Sequence, residues 1–222
     1  MSSSVVIVSP GTASANNGNW QTAARWARFL SPQHAVRVCE RWREGDALPD
    51  VMIALHARRS ADSIACFRRR RAHGRLLVAL TGTDVYRDIH DDEAAQQSLA
   101  RADRLLVLQS RALDELTPKQ RIKASVLYQS APTLKPAVRG VRHFDIVQVG
   151  HLRHEKDPFT PITALRHLPR DSRIRLTHIG TALDGQHGET MATVCRSEPR
   201  LRWLGGLGHA ATRQRIKRAH LL

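Results

Sequence analysis

Short apolar runs alternate with amphipathic helical segments along almost the whole chain. In the first half, runs rich in Val, Ile and Leu predict buried strands at 5–9, 35–39, 51–56, 76–80, 105–108 and 124–128. Helical spacing of apolar residues predicts helices in a segment that ends at Leu30 and at 60–67, 93–100 and 110–116. Uninterrupted apolar strands separated by helices indicate a parallel sheet covered on both faces. The first half therefore predicts an α/β, doubly wound fold.

The alternation is interrupted once, at residues 131–140, which contain two prolines and a glycine and show no periodicity. We interpret 131–143 as a linker between a first domain, 1–130, and a second domain, 144–222. The second domain has predicted strands at 145–149, 173–179 and 201–204, and predicted helices at 158–168, 188–197 and 210–218. Residues 219–222 are typical of the opening of one more strand. Three predicted strands and the beginning of a fourth predict a second domain that is only partial within this chain.

The composition is that of a globular chain, with 41% hydrophobic residues among 222. No stretch approaches the roughly 20 apolar residues of a membrane helix, and the N-terminus lacks the basic region and the long apolar run of a signal peptide. Cys39, Cys66 and Cys195 are far apart, without CxxC spacing. This spacing argues against a disulfide framework or a zinc site and favours a reducing cytoplasm.

The charge of the chain is strongly basic. Lys and Arg total 35 against 20 Asp and Glu, a net charge of +15, which favours polyanionic partners. The basic residues are spread along the chain, and 30 of the 35 are Arg, a bias that coding composition also produces. The one dense run, the four arginines at 68–71, fits the exposed face of a helix, and nucleic-acid contact is the alternative. Because aromatic residues are only 5% of the chain and none alternate with basic residues on a helix, we favour a small anion.

Unusual polar residues follow the first and third predicted strands. Ligands bind at the carboxyl ends of the strands in open α/β sheets. Residues 16–20, which include Gly18 and Asn19, would let backbone amides approach an anion at a helix N-terminus, and a plain turn with an N-cap is the alternative. This segment is not a GxGxxG dinucleotide fingerprint. His56, Arg58 and Arg59 follow the third strand and predict an anion pocket, although a single His at such a place is often structural.

Residues 81–88 follow the most buried predicted strand, and two threonines, a glycine, the acid Asp84 and an arginine lie together there. Packing alone does not account for these residues at the exit of a strand. We predict that Thr83 or Asp84 binds a hydroxyl-bearing ligand, with Arg87 beside them. The alternative is an Asx-type turn that leads into a helix.

The second domain opens with a predicted strand that ends at Gly150 and is followed by Arg153, Lys156 and an Asp-Pro pair. The proline at 158 is placed to begin a helix. Two cations beside a helix N-terminus suit a diphosphate. Since pairs of Arg and Lys are common on surfaces, an ordinary surface pair is the alternative.

These second-domain segments resemble GT-B glycosyltransferases, which have two Rossmann-like domains. The pattern strand–Gly-x-Leu-x-x-x-Lys-Asp-Pro is similar to the nucleotide-diphosphate loop that opens their second domain. The resemblance implies that Arg153 and Lys156 stabilise the leaving diphosphate. Residues 201–207 are similar to the family's strand near the donor base, which implies a donor-binding role for Gly150 and Gly205.

Longer strings, at 55–64, 79–89, 128–131 and 149–159, are similar to the selenosugar synthase (SenB) family of selenoneine biosynthesis. That resemblance implies transfer of a sugar from UDP-glucose or UDP-N-acetylglucosamine to selenophosphate, with a new carbon–selenium bond and release of UDP. It implies catalytic roles for His56 and Asp84 in the later hydrolysis of the phosphorus–selenium bond. The acceptor-binding residues that it implies are Gly18, Asn19, Arg58, Arg59, Thr83 and Arg87.

The family continues past residue 222 with a Ser-x-x-Glu-Gly-Gly-like segment that holds the nucleotide ribose. We therefore expect the 222-residue form to bind UDP weakly, to be inactive, and to form homo-oligomers through the open edge near residues 201–204. Beyond the UDP-sugar substrate we expect no cofactor, and no metal, because no Asp-x-Asp pair follows a strand. No membrane partner is expected.

Two other functions remain open. A GT-B transferase with an alcohol acceptor predicts activity without selenophosphate. A basic nucleic-acid-binding protein predicts binding that falls steeply with salt.

Overall fold

The computed structural model describes residues 2–11, 17–135 and 137–222, and the chain divides into two compact units, Met1–Ala131 and Pro132–Leu222. The first unit contains one six-stranded parallel sheet in the order β2-β1-β3-β4-β5-β6. Its strands are β1 (Ser4–Val8), β2 (Ala35–Cys39), β3 (Val51–Leu55), β4 (Arg75–Leu80), β5 (Arg104–Val107) and β6 (Ala124–Val126). The strand order reverses between β1 and β3, and this reversal opens a crevice at the carboxyl ends of the strands.

Helices connect the strands of the first unit. They are α1 (Gly18–Leu30), α2 (Ala61–Arg70), α3 (Ile89–Asp91), α4 (Glu93–Arg101) and α5 (Pro118–Ile122). A π-helical turn spans Asp84–Asp88, and a 3-10 turn spans Ser110–Leu113, where the sequence predicted a longer helix. The short α5 was not predicted, although Thr117 and Gln120 form a capping box around its N-terminal proline.

The two faces of the first sheet bury alternate residues of each strand. On one face, Ile7 and Leu55 pack with Ala23 and Trp26 of α1. The other face packs against α2 and α4 and is the larger cluster; among its buried members are Val8, Leu80, Ile64, Phe67 and Leu99. The strands are therefore buried on both sides, which is why they are continuous apolar runs in the sequence.

The arginine run at 68–71 forms the end of α2, and much of it is bonded to the protein. Arg68 pairs with Asp103 (Nη2 to Oδ1, 2.7 Å) and donates to the carbonyl oxygen of Arg101, and its side chain is only 15% exposed. Arg71 donates to the carbonyl oxygen of Pro49 and pairs with Asp50. The prediction of an exposed face is therefore wrong for Arg68, because its guanidinium satisfies a carbonyl oxygen at the end of α4.

The second unit contains a three-stranded parallel sheet in the order β7-β8-β9. Its strands are β7 (Phe144–Val149), β8 (Ile174–Ile179) and β9 (Leu201–Trp203), and its helices are α6 (Thr160–Arg166), α7 (Gly185–Ser197) and α8 (His209–Arg218). Leu221 forms a parallel bridge with Ile146 of β7, so the chain after α8 does begin to pair as a strand. The core of this unit packs around Leu152, Leu165, Leu176 and Met191.

An ion pair fastens the chain before β9 to the end of α6. Arg200 pairs with Glu198 (Nη2 to Oε2, 2.8 Å) and donates to the carbonyl oxygens of Leu165 and Pro169. The hydrogen bonds from Arg200 lower the pKa of Glu198 to about 2. Within the described parts of the chain, no helix is long and apolar enough to cross a bilayer.

Candidate functional site

His56 lies at the centre of a polar cluster at the carboxyl ends of β3 and β4. It is 3% exposed and has φ 71°, a left-handed conformation that a residue with a side chain adopts only when its surroundings hold it there. Its Nε2 lies 3.2 Å from the Thr83 hydroxyl and 3.8 Å from the Asp88 carboxylate, and its Nδ1 lies 3.9 Å from the Asp84 carboxylate. Burial lowers the pKa of His56, against the opposing effect of Asp84 and Asp88. The ring is therefore neutral at pH 7.

The position of the proton on that neutral ring follows from its hydrogen bonds. The backbone N–H of Arg59 points at Nδ1 of His56, at 3.4 Å. Because Nδ1 then acts as an acceptor, the hydrogen bond assigns the proton to Nε2. The Nε2–H faces the Thr83 hydroxyl and the carboxylate of Asp88.

Asp84 is fully buried, and backbone amides surround its carboxylate. Oδ1 accepts hydrogen bonds from the amides of Thr81 and Gly82, each at 2.9 Å, and Oδ2 accepts one from the amide of Ala57 at 3.0 Å. These bonds join the loop after β3 to the loop after β4. The contacts of Asp84 are thus those of a group that holds the two loops together, and its catalytic role stays a prediction.

Asp88 belongs to the cluster but was not among the predicted site residues. Its carboxylate is 5% exposed and accepts from Nε of Arg58 at 3.0 Å and from Nε of Arg87 at 3.2 Å. The π-helical turn brings Asp84 and Asp88 to the same side of the chain, one turn apart. The sequence did contain a signal for Asp88, namely two acids four residues apart after a buried strand. Asp88 therefore orients two of the predicted acceptor-binding arginines beside His56.

The remaining predicted residues of the first unit lie after β1. Gly18 and Asn19 form the first turn of α1, which Asn17 caps by accepting from the amide of Trp20 at 3.0 Å. Residue 16, which belongs to the predicted segment, lies outside the described residues. The structure thus brings His56, Arg58, Thr83 and Arg87 together at β3 and β4, and places Gly18 and Asn19 in the segment that follows the neighbouring strand β1.

In the second unit, the loop 150–157 joins β7 to α6 and lies beside the end of β8. The amide of Gly150 donates to the carbonyl oxygen of Ile179 at 2.9 Å, and the amide of Leu152 donates to that of Thr181 at 3.0 Å. The loop closes with a 3-10 turn at His154–Lys156 and with Asp157 in a left-handed conformation, φ 42°. This turn is why α6 begins at Thr160, two residues later than predicted.

The two predicted donor-binding cations lie on this loop. The Arg153 side chain is 38% exposed, but its Nε is buried and has no hydrogen-bond partner among the described residues, with the Glu155 carboxylate 3.9 Å away. Lys156 is exposed. A buried N–H without a partner is unfavourable, and an anionic ligand oxygen would satisfy it.

Glycines close the same end of the second sheet. Gly205, predicted as a donor-binding residue, has φ 65°, and its carbonyl oxygen accepts from the amide of Gly180 at 2.8 Å. A Cβ at Gly180 would lie 1.8 Å from the carbonyl oxygen of Gly150, so only glycine fits there. Gly180 was not among the predicted site residues. Across the described ranges, no group of three or more His, Cys, Asp or Glu side chains is placed to hold a metal ion.

These observations define the class of fold: two Rossmann-like α/β units with their polar loops at the carboxyl ends of parallel strands, as in GT-B proteins, which confirms the predicted fold class. The chain is similar to the Anabaena protein Alr3699/HepE in complex with UDP and glucose, with a TM-score of 0.64, 12% identity, and coverage of 93% of this chain and 70% of that one.

Two further solved structures are similar over the whole of this chain. The lipopolysaccharide outer core galactosyltransferase WaaB has a TM-score of 0.54 and 14% identity, with 73% of its chain covered. A protein described as a putative UDP-N-acetylglucosamine 2-epimerase from Listeria monocytogenes has a TM-score of 0.61 and 9% identity, with 74% covered. No family model and no curated protein sequence matches the chain. At these identities the likeness shows the fold.

Proposed function

We propose that the protein is a glycosyltransferase that transfers a sugar from UDP-glucose or UDP-N-acetylglucosamine to selenophosphate. The observation that carries the proposal is the loop 150–157, where Arg153 and Lys156 lie in a strand-to-helix turn. The buried Nε of Arg153 has no hydrogen-bond partner among the described residues. A UDP complex of a protein with the same fold supports a nucleotide diphosphate as the ligand.

The reaction is a displacement at the anomeric carbon of the sugar. The selenium of selenophosphate attacks this carbon, a carbon–selenium bond forms, and the bond to the diphosphate oxygen breaks, with its electron pair leaving on UDP. Negative charge therefore grows on the diphosphate in the transition state. Arg153 and Lys156 stabilise this charge. A cation that is already in position before the reaction begins stabilises the charge without any rearrangement of the protein during the reaction.

The acceptor is a small anion, and the first unit offers cations for it. Asp88 holds Arg58 and Arg87 by their Nε atoms, so both guanidinium groups are oriented before an anion arrives. Selenium in selenophosphate is already ionised, so its attack needs no general base. Water later hydrolyses the phosphorus–selenium bond. Its hydroxyl bonds to phosphorus, the phosphorus–selenium bond breaks, selenium takes the proton, and phosphate and the selenosugar are released. The lowered pKa of His56 keeps this ring neutral and suits it to assist that step.

Mass spectrometry of the protein with a UDP-sugar and selenophosphate tests the proposal. The expected result is UDP together with a product whose mass contains both the sugar and selenium. A product that forms equally well from an alcohol acceptor without selenophosphate would favour the alternative transferase. Salt-sensitive binding of RNA or DNA, together with no binding of UDP-glucose in a calorimeter, would overturn the proposal in favour of a nucleic-acid-binding protein.

A further inference from the structure

His178 is a buried polar residue of β8 that the proposed reaction does not use. Its side chain is 1% exposed. Nδ1 lies 2.9 Å from Oε1 of Gln148 on β7, and Nε2 lies 2.9 Å from the carbonyl oxygen of Gly150. Both nitrogens of the ring are therefore in hydrogen bonds with neighbouring elements.

The orientation of the Gln148 amide is fixed by a further bond. Its Nε2 donates to the carbonyl oxygen of Asp157 at 3.2 Å, which leaves Oε1 facing His178. A carbonyl oxygen only accepts, so a ring nitrogen of His178 that bonds to Gly150 or to Gln148 must carry a proton. Burial lowers the pKa of His178, and the hydrogen bond to Gly150 opposes this effect.

These bonds hold the two ends of the loop 150–157. His178 holds Gly150, the first residue of the loop, and Gln148 holds Asp157, the last. Asp157 has φ 42°, which a non-glycine residue keeps only with support from its surroundings. Between these two anchored residues lie the cations Arg153 and Lys156.

We infer that His178 and Gln148 are positioning residues that set the geometry of the loop carrying Arg153 and Lys156, and through it the affinity for a diphosphate. The identity of the ligand rests on the proposed function. The inference that these two residues support the loop rests on their hydrogen bonds alone and does not depend on the ligand. The two residues act through the backbone carbonyls of Gly150 and Asp157.

Amide hydrogen exchange on Gln148→Met tests the support of the loop. The amides of Lys156 and Asp157 donate within the 3-10 turn, to the carbonyl oxygens of Arg153 and His154, and report on the Asp157 end. We expect both to exchange about tenfold faster, since the variant loses the hydrogen bonds of Gln148 to the Asp157 carbonyl oxygen and to His178. The amide of Leu152, bonded to Thr181, should not change. Equal exchange in the variant and the wild type would overturn the inference.

Calorimetry with UDP-glucose on the same variant tests the effect on the ligand. The dissociation constant is expected to rise about tenfold, while the unfolding temperature stays close to that of the wild type. The matched control is Gln186→Met, an exposed glutamine of α7, which should leave both exchange and affinity unchanged. Faster exchange with unchanged affinity would show that the loop is supported without being positioned for the ligand, and would overturn the inference.

A second variant, His178→Phe, releases the Gly150 end. It should weaken UDP-glucose binding by about tenfold, and if it does not fold, the Gln148→Met measurements decide alone. If the wild-type protein does not bind UDP-glucose, the proposed function fails, whereas the exchange rates of Gln148→Met still decide whether the loop is held as inferred.

Discussion

The polar clusters of the two units differ in how their charges are paired. In the first unit, Asp84 bonds to backbone amides, and Asp88 bonds to Arg58 and Arg87. In the loop of the second unit, by contrast, Arg153 faces the Glu155 carboxylate only at 3.9 Å, and its buried Nε has no hydrogen-bond partner among the described residues. Charges that are paired within the protein orient side chains and join loops. A buried guanidinium N–H without a hydrogen-bond partner is suited to bind an oxygen atom of a ligand.

The comparison predicts that the largest effect on activity comes from the loop of the second unit. Lys156→Ala should lower kcat/KM for the UDP-sugar by about 10²–10³, which is typical for the loss of one group that stabilises transition-state charge. Steady-state kinetics measure this, with Lys135→Ala, an exposed lysine of the same unit, as the control. A loss below about threefold in a folded variant would remove Lys156 from the site.

In the first unit, the largest expected effect is on stability. Asp84→Asn replaces one accepting oxygen by a donating NH₂ group opposite backbone N–H groups. We expect a loss of about 2–3 kcal/mol in the free energy of unfolding, because buried donors are left unpaired. Denaturant unfolding checks this against Asp62→Asn, an exposed acid on α2. If the variant unfolds like the control, the role of Asp84 in joining the loops is refuted.

The arginines beside His56 should distinguish acceptor from donor. Arg58→Ala is expected to raise KM for selenophosphate about tenfold and to change KM for the UDP-sugar less, because the arginine serves the anionic acceptor. Arg87→Ala should behave in the same way. Arg69→Ala, an exposed arginine of α2, is the control for net charge. Equal changes for both substrates would show that these arginines do not select the acceptor.

The smallest expected effect concerns a paired charge in the second unit. The pKa of Glu198 is about 2 in the folded protein, against an ordinary value near 4.5. A lowered pKa contributes stability above the ordinary pKa, and this contribution is lost as the pH falls from about 4.5 towards 2. Allowing for solvent screening, the loss is about 1 kcal/mol. The free energy of unfolding, measured across this pH range, should depend less on pH in Glu198→Gln than in the wild type. The control Glu189→Gln should keep the pH dependence of the wild type.

The sequence predicted the order of strands and helices closely, because strands buried on both faces must be continuous apolar runs. Boundaries that depend on local backbone geometry were less accurate. The helix α7 begins at Gly185, capped by Asp184, three residues before the prediction. Its cap was visible in the sequence, since an Asp before a helix accepts from the amides of the first turn.

The candidate sites were predicted in part. His56, Arg58, Thr83 and Arg87 come together because the carboxyl ends of β3 and β4 are neighbours in a parallel sheet. Their grouping follows from the strand pattern. The sequence could not show that Asp88 would pair with both arginines, since that depends on the π-helical turn that directs its carboxylate.

By itself, the sequence determined the two α/β units, the polar strand ends and the cations of the loop, since apolar periodicity and turn residues act over short distances along the chain. The tertiary structure alone decided which groups support that loop. His178 lies on the strand next to Gly150, and Gly180 is required because a Cβ there would collide with the Gly150 carbonyl oxygen. Such contacts join residues about 30 positions apart, and their geometry exists only after the parallel strands have paired in register.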